Sequence, residues 1–96
     1  MEPHRFTREM GITHADFFRI LPSAIDQHPY HRRDHGIEID FGDRSVDIDL
    51  GDEKIRGIAL LQLPYIEMSF VFHGFSVEQH KAFMSRFDLY FRRGGG

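Results

Sequence analysis

Gly36-Ile37-Glu38-Ile39-Asp40-Phe41-Gly42-Asp43-Arg44-Ser45-Val46-Asp47-Ile48-Asp49-Leu50 is the stretch from which the fold is read. Ile37, Ile39 and Phe41 alternate with Glu38 and Asp40, and Val46, Ile48 and Leu50 alternate with Asp47 and Asp49. A period of two marks a strand buried on one face, and Gly42-Asp43 between the runs makes a two-residue turn with glycine first. Facing Phe41 with Arg44 sets the register. Ile39 then meets Val46, Ile37 meets Ile48, and Glu38 meets Asp47 on the other face. A slip of one residue would exchange the apolar and acidic faces.

Downstream, the same logic predicts two more strands joined by turns at Gly51 to Lys54 and at Pro64-Tyr65. Leu50 is expected opposite Ile55, Ile48 opposite Gly57, Val46 opposite Ala59, and Asp49 opposite Arg56. Beyond the last turn Leu63, Leu61, Ala59 and Gly57 are expected to meet Ile66, Met68, Phe70 and Phe72. The small residues Gly57 and Ala59 then read as hollows for aromatic rings. On that register Gly57→Val is expected to overpack the sheet at a cost of about 1–3 kcal/mol.

Upstream, Thr13 is placed to cap a helix, with Asp16 in its first turn and Ile12 stapling onto Phe17. Phe17, Leu21, Ala24 and Ile25 continue at helical spacing, with Pro22 predicting a kink or stop near Leu21. Residues 26–35 carry no apolar period and contain Pro29, so they read as loop. His4 to Arg8 around Phe6 are compatible with a short extra strand or with a draped segment. After the sheet, Ser76-Val77-Glu78-Gln79 forms a capping box for a helix carrying Val77, His80, Phe83, Met84, Phe87, Tyr90 and Phe91 on one stripe. Arg92 and Arg93 complement its negative end, and Gly94 is expected to cap it in the left-handed region. The fold class is therefore α+β in the order αββββα: a four-stranded antiparallel β-meander with an N-terminal and a C-terminal helix packed on one face. Residues 1–96 form a single domain. A composition of 41% hydrophobic and 14% aromatic residues is that of a globular chain rather than a disordered one.

The candidate chemistry is concentrated in two places. The segment 28–35 holds His28, His31, Asp34 and His35, a spacing that presents imidazoles and a carboxylate to a divalent metal. It also holds Tyr30, Arg32 and Arg33, a flat ring and two bidentate donors suited to an anionic group or a protein partner. The plainer account is a polar surface loop that neutralises the acidic hairpin beside it. Residues 34–53 carry eight acids against Arg44 alone, a segment charge of −7. Glu38, Asp40, Asp47 and Asp49 fall on the outer sheet face, where Arg56, a divalent cation or a basic partner is expected to compensate them. Acids there also deter strand pairing between molecules. Ile58, Leu60 and Val71 are placed on the same face as an apolar patch for a partner or a homodimer.

Arg92-Arg93-Gly94-Gly95-Gly96 resembles the tail of ubiquitin-like and sulfur-carrier proteins, which implies a C-terminal carboxylate threaded into an activating enzyme. The resemblance covers these five residues; a helix leads into the tail here, where that family has a strand, and the ββαβ order is missing. Asp34-His35 and His14-Asp16 offer acid–base pairs, but no nucleophile elbow or phosphate loop accompanies them, so an enzyme is not expected. A small cleft between the helices is expected near Phe18, Tyr90 and residues 28–35. A pI near 6.1 argues against nucleic acid, and the chain lacks any apolar run long enough to span a bilayer or serve as a signal peptide. The expected protein is a cytoplasmic accessory or adaptor domain that binds a protein partner or anionic group through residues 28–35 and the outer sheet face. It requires no cofactor, with a divalent metal as the one alternative ligand and the diglycine carrier as the other alternative role.

Overall fold

A computed structural model describes residues 4–95, with two helices on one face of an antiparallel sheet. The elements in chain order are β1 His4–Met10, α1 His14–Ala24, β2 Tyr30–Arg33, β3 Gly36–Asp40, β4 Ser45–Leu50, β5 Lys54–Ile58, β6 Leu61–His73 and α2 Val77–Gly95. The sheet has six strands in the order β1-β6-β4-β3-β2, with β5 paired to β6 beyond that path. The α+β class and the antiparallel sheet stand. The four-stranded meander does not.

The β3–β4 hairpin has the register read from its alternation, with Ile39 opposite Val46, Ile37 opposite Ile48 and Glu38 opposite Asp47. Its turn is closed by the Phe41 N–H donating to the Arg44 carbonyl at 2.9 Å, and Gly42 takes a φ of 90° that suits glycine. Beyond Leu50 the pairing differs from expectation. β4 pairs with β6, which puts Val46 opposite Phe72, Ile48 opposite Phe70 and Asp49 opposite Ser69. Lys54 then lies opposite Tyr65, and Ile58 opposite Leu61.

From Leu50 to Lys54 the chain takes four steps while β6 takes three, from Met68 to Tyr65. Gly51 to Glu53 are therefore a bulge within one long hairpin, not a turn between two strands. The Gly51 N–H still donates to the Glu67 carbonyl at 2.8 Å across this bulge. The true reversal is at Ala59-Leu60, where Ala59 holds a left-handed φ of 54°. Pro64 lies inside β6, just past Ile66 where pairing with β1 ends, so one edge of the strand is free there and tolerates proline.

Gly57 and Ala59 are thus not hollows for Phe72 and Phe70. Gly57 faces Gln62, and nothing lies within 4 Å of where its Cβ would be. Gly57→Val is now expected to leave stability within about 0.5 kcal/mol of the native chain, as for other substitutions at open surface sites. A urea melt of the variant checks it; a loss of several times that size would restore the meander.

The N-terminal segment is a full strand, antiparallel to β6 with Phe6 opposite Phe70. Residues 30–33, expected in a loop, form edge strand β2 against β3. Helix α1 starts as predicted, with the Thr13 hydroxyl accepting the Asp16 N–H at 3.1 Å, and it carries Pro22 within its last turn before Ile25 caps it. At α2 the capping box is complete: the Ser76 hydroxyl accepts the Gln79 N–H at 3.1 Å, and the Gln79 side chain accepts the Ser76 N–H at 2.9 Å. This helix continues through Gly95, so Gly94 is not its left-handed cap.

The core lies between the sheet and the helices. Ile37, Ile39, Val46, Ile48, Ile66, Met68, Phe70 and Phe72 are buried on the sheet side, and Phe17, Leu21, Met84, Phe87 and Phe91 on the helix side. Phe70 meets Phe87 edge-on at 5.2 Å, Phe72 meets Phe83 at 5.4 Å, and His80 stacks on Phe72 at 4.2 Å. Such offset and edge contacts add to what burial of the rings contributes. Arg8, on the inner face of β1, reaches across to an ion pair with Asp88 of α2.

Candidate functional site

Segment 28–35 is shaped by its entry. Asp26 and Gln27 both hold left-handed φ values, 54° and 61°, and turn the chain from α1 toward β2. The His28 Nδ1 lies 2.8 Å from the Ile25 carbonyl, and its ring sits 4.5 Å from that of Phe41. Strand alternation then divides the side chains of β2 between the two faces of the sheet. Tyr30 and Arg32 lie opposite the core residues Ile39 and Ile37, on the helix side of the sheet, and the Arg32 guanidinium is 3.8 Å above the Phe18 ring. His31 and Arg33 fall on the outer face, where Arg33 donates to Glu38 at 2.7 Å. Tyr30 and Arg32 therefore start from the opposite face of the sheet to Arg33.

The same alternation separates the candidate metal ligands. His28 packs at the start of the segment, His31 lies on the outer face, and Asp34 and His35 occupy the turn into β3. Among the described residues no group of three or more His, Asp or Glu side chains is placed to hold a metal ion. Arg32, Arg33, Asp34 and His35 do line a cleft of about 380 Å³ with His14, Phe18 and Asp52. Its lining holds two arginines and two carboxylates. The expected cleft at Phe18 and Tyr90 is thus displaced. A separate one of about 240 Å³ lies at the other end of α1, lined by His28, Phe41, Arg44, Phe75, Phe83 and Arg86.

On the outer sheet face Glu38 and Asp47 each have a side-chain partner. Asp47 is 3.0 Å from His73, and Glu38 is held by Arg33. Asp47 and Asp49 share a shallow cleft of about 390 Å³ with Arg5, Arg33, Val71 and His73. Arg56 takes no part: it is paired with Glu9 at 3.0 Å and lies 4.5 Å over the Tyr65 ring. The hydrogen bond and charge of Glu9 raise its pKa above the usual guanidinium value.

Ile58, Leu60 and Val71 are not one patch. Val71 lies in the body of the sheet between Arg5 and Asp47, whereas Ile58 and Leu60 belong to the ribbon formed by β5 and the first part of β6. Leu61 and Val71 are ten residues apart on one strand, or about 33 Å at strand rise.

That ribbon, residues 54–65, is the most exposed apolar feature among the described residues. Ile55, Ile58, Leu61 and Leu63 are 45–66% exposed and Leu60 is fully so. Alternation puts Ile58, Leu61, Leu63 and Tyr65 on one face with Lys54 and Arg56. A cleft of about 230 Å³ runs along it, from Glu9, Met10 and Gly11 past Tyr65, Pro64, Leu63 and Arg56 to Ile58. The meander register sets Ile55, Leu61 and Leu63 against the core, and the structure puts all three in the open. The signal for this was the adjacent pair Leu60-Leu61, which interrupts the period-two alternation where the chain reverses.

At the C-terminus Gly94 and Gly95 continue α2, and Gly96 lies outside the described residues. No described helix is long and apolar enough to cross a membrane. Comparison with known proteins finds no matching family model, no similar curated protein and no similar solved structure.

Proposed function

We propose that the chain is a non-enzymatic cytoplasmic adaptor that binds a protein partner, with the 54–65 arm as its principal contact. The observation that carries this reading is the row of large apolar side chains on the arm, none of which belongs to the core cluster. A two-stranded ribbon is marginal in water by itself, and exposed apolar surface of this kind marks interaction sites. The arm also offers free strand edges, as does β2 at the far side of the sheet, and free edges accept added strands. The free edge of β2, with Tyr30 and Arg32 on one face and Arg33 on the other, supplies a polar accessory contact.

The reading is tested with an arm variant, Ile58→Ser/Leu60→Ser/Leu63→Ser. The variant is expected to keep the native melting midpoint and to lose a protein that the native chain retains from the source cell. Tyr30→Ala/Arg32→Ala/Arg33→Ala is expected to weaken that retention without abolishing it. Equal retention by the arm variant and the native chain would remove the arm as the contact surface.

A further inference from the structure

Independently of the arm, we infer that the cleft of about 240 Å³ between the end of α1, the β3–β4 turn and the first half of α2 is a binding site for a small monocarboxylate with an apolar body, whose carboxylate Arg44 receives. Three observations converge on this assignment. The first is the state of Arg44. Its guanidinium is steadied by two rings, with Cζ 5.1 Å from the centre of Phe75 and 5.7 Å from that of Phe41. The side chain is only 30% exposed and its Nε is buried, yet no donor of the group makes a hydrogen bond with a described residue. Its ion-pair partner among those residues is Asp43, 3.7 Å away and 86% exposed, a solvated pair of the kind worth little. Arg8 is as deeply set, at 33% exposure, and is joined directly to Asp88. A partly desolvated guanidinium with unfilled donors gains from an anionic acceptor.

The second is the lining. Ile25, Phe41, Phe75 and Phe83 wall the cleft, and Ala82 leaves it open on the α2 side. Gln79 adds a donor, because its side-chain oxygen accepts the Ser76 N–H and its NH2 is left over. Apolar walls with a few convergent polar groups are the usual make-up of ligand sites, and a volume just below their common range of about 300–1,000 Å³ selects a small molecule.

The third is charge. Arg44 and Arg86 against Asp26 leave this lining with one excess positive charge. Arg86 is already engaged, donating to the Ser23 carbonyl at 2.9 Å and lying 3.5 Å from Asp26, so the excess belongs to Arg44. One free guanidinium among rings matches a monoanion. The clefts beside Phe18, on the outer sheet face and along the arm each hold as many carboxylates as guanidinium groups, and have no such excess.

Amide chemical shifts of the full chain titrated with phenylpropionate test the inference. Saturating shifts are expected at Ile25, Phe41, Arg44, Phe75 and Phe83, half-complete at about 1 mM or below. The neutral isostere phenylpropionamide is expected to bind at least about tenfold more weakly. Arg44→Met keeps an apolar stem over the two rings and is expected to lower the acid to the affinity of the amide. Ala82→Phe, which fills the cleft, is expected to abolish binding of both with an unchanged melting midpoint. No saturating shift by about 10 mM, equal binding of acid and amide, or shifts centred on another cleft would overturn the inference. So would tighter binding of inorganic phosphate, or of a peptide ending in phenylalanine, than of the free acid. The arm variant Ile58→Ser/Leu60→Ser/Leu63→Ser is expected to bind phenylpropionate as the native chain does, so failure of this site leaves the adaptor reading standing, and failure of the arm leaves the site.

Discussion

Gly36→Ala is expected to destabilise the fold by about 3 kcal/mol, the upper end of the usual cost of forcing atoms into a packed site. A Cβ at position 36 would lie 2.0 Å from the Ile48 carbonyl oxygen and 2.9 Å from the Asp49 Cα. Both are backbone atoms of the neighbouring strand, so no side-chain rotation relieves the overlap. Either β3 must separate from β4 or the Asp34-His35 turn must shift. The turn is itself held, because the Leu50 N–H donates to the His35 carbonyl at 2.6 Å. Glycine is required here by proximity; its φ is not in the left-handed region. Urea denaturation checks the prediction, and a midpoint equal to that of the native chain would mean that the strands stand farther apart at this end.

Phe70→Ala is expected to remove about 3–5 kcal/mol, the range for truncating a buried aromatic side chain. Phe70 is fully buried on β6, with Ile48 and Phe6 as its cross-strand neighbours. Its ring stacks on Phe6 at 4.8 Å and meets Phe87 edge-on at 5.2 Å. The loss therefore disconnects β1, the sheet centre and α2 together. Against the roughly 5–15 kcal/mol typical of a domain, that is a large fraction of the whole. Leu63→Ala, seven residues earlier on the same strand but in the arm, is expected to cost no more than about 0.5 kcal/mol. Thermal or urea melts of the two variants side by side test the division of β6 into a core half and an exposed half. Similar losses from both would contradict it.

The contrast between those two positions shows where the sequence was legible. Alternation assigns a residue to a face, and it did so correctly for Ile37, Ile39, Val46, Ile48, Phe70 and Phe72. It does not say which strand lies alongside. Pairing β4 with β5 or directly with β6 leaves Val46 and Phe70 on the same side, so the apolar face survives an error in strand order. The choice turned on where the chain reverses. Gly51-Asp52 and Pro64-Tyr65 carry residues favoured in turns but occupy a bulge and a strand, while the reversal is at Ala59-Leu60, with an alanine in a conformation that glycine prefers. Helix caps at Thr13 and Ser76 were readable because their chemistry is local. β2 was not, because an edge strand with little apolar content leaves no periodic trace. The grouping of Tyr30 with Arg32 and Arg33, and of four candidate metal ligands, assumed a loop; a strand sends successive side chains to opposite sides.

One consequence of the thirteen-residue β6 concerns force. Its second half is clamped between β1 and β4, and its first half carries the arm. Ladder bonds of antiparallel strands run across the strand axis, so tension applied at the tip along β6 is shared by both flanking ladders in shear instead of peeling them one rung at a time. Whatever grips the arm therefore pulls on two ladders at once.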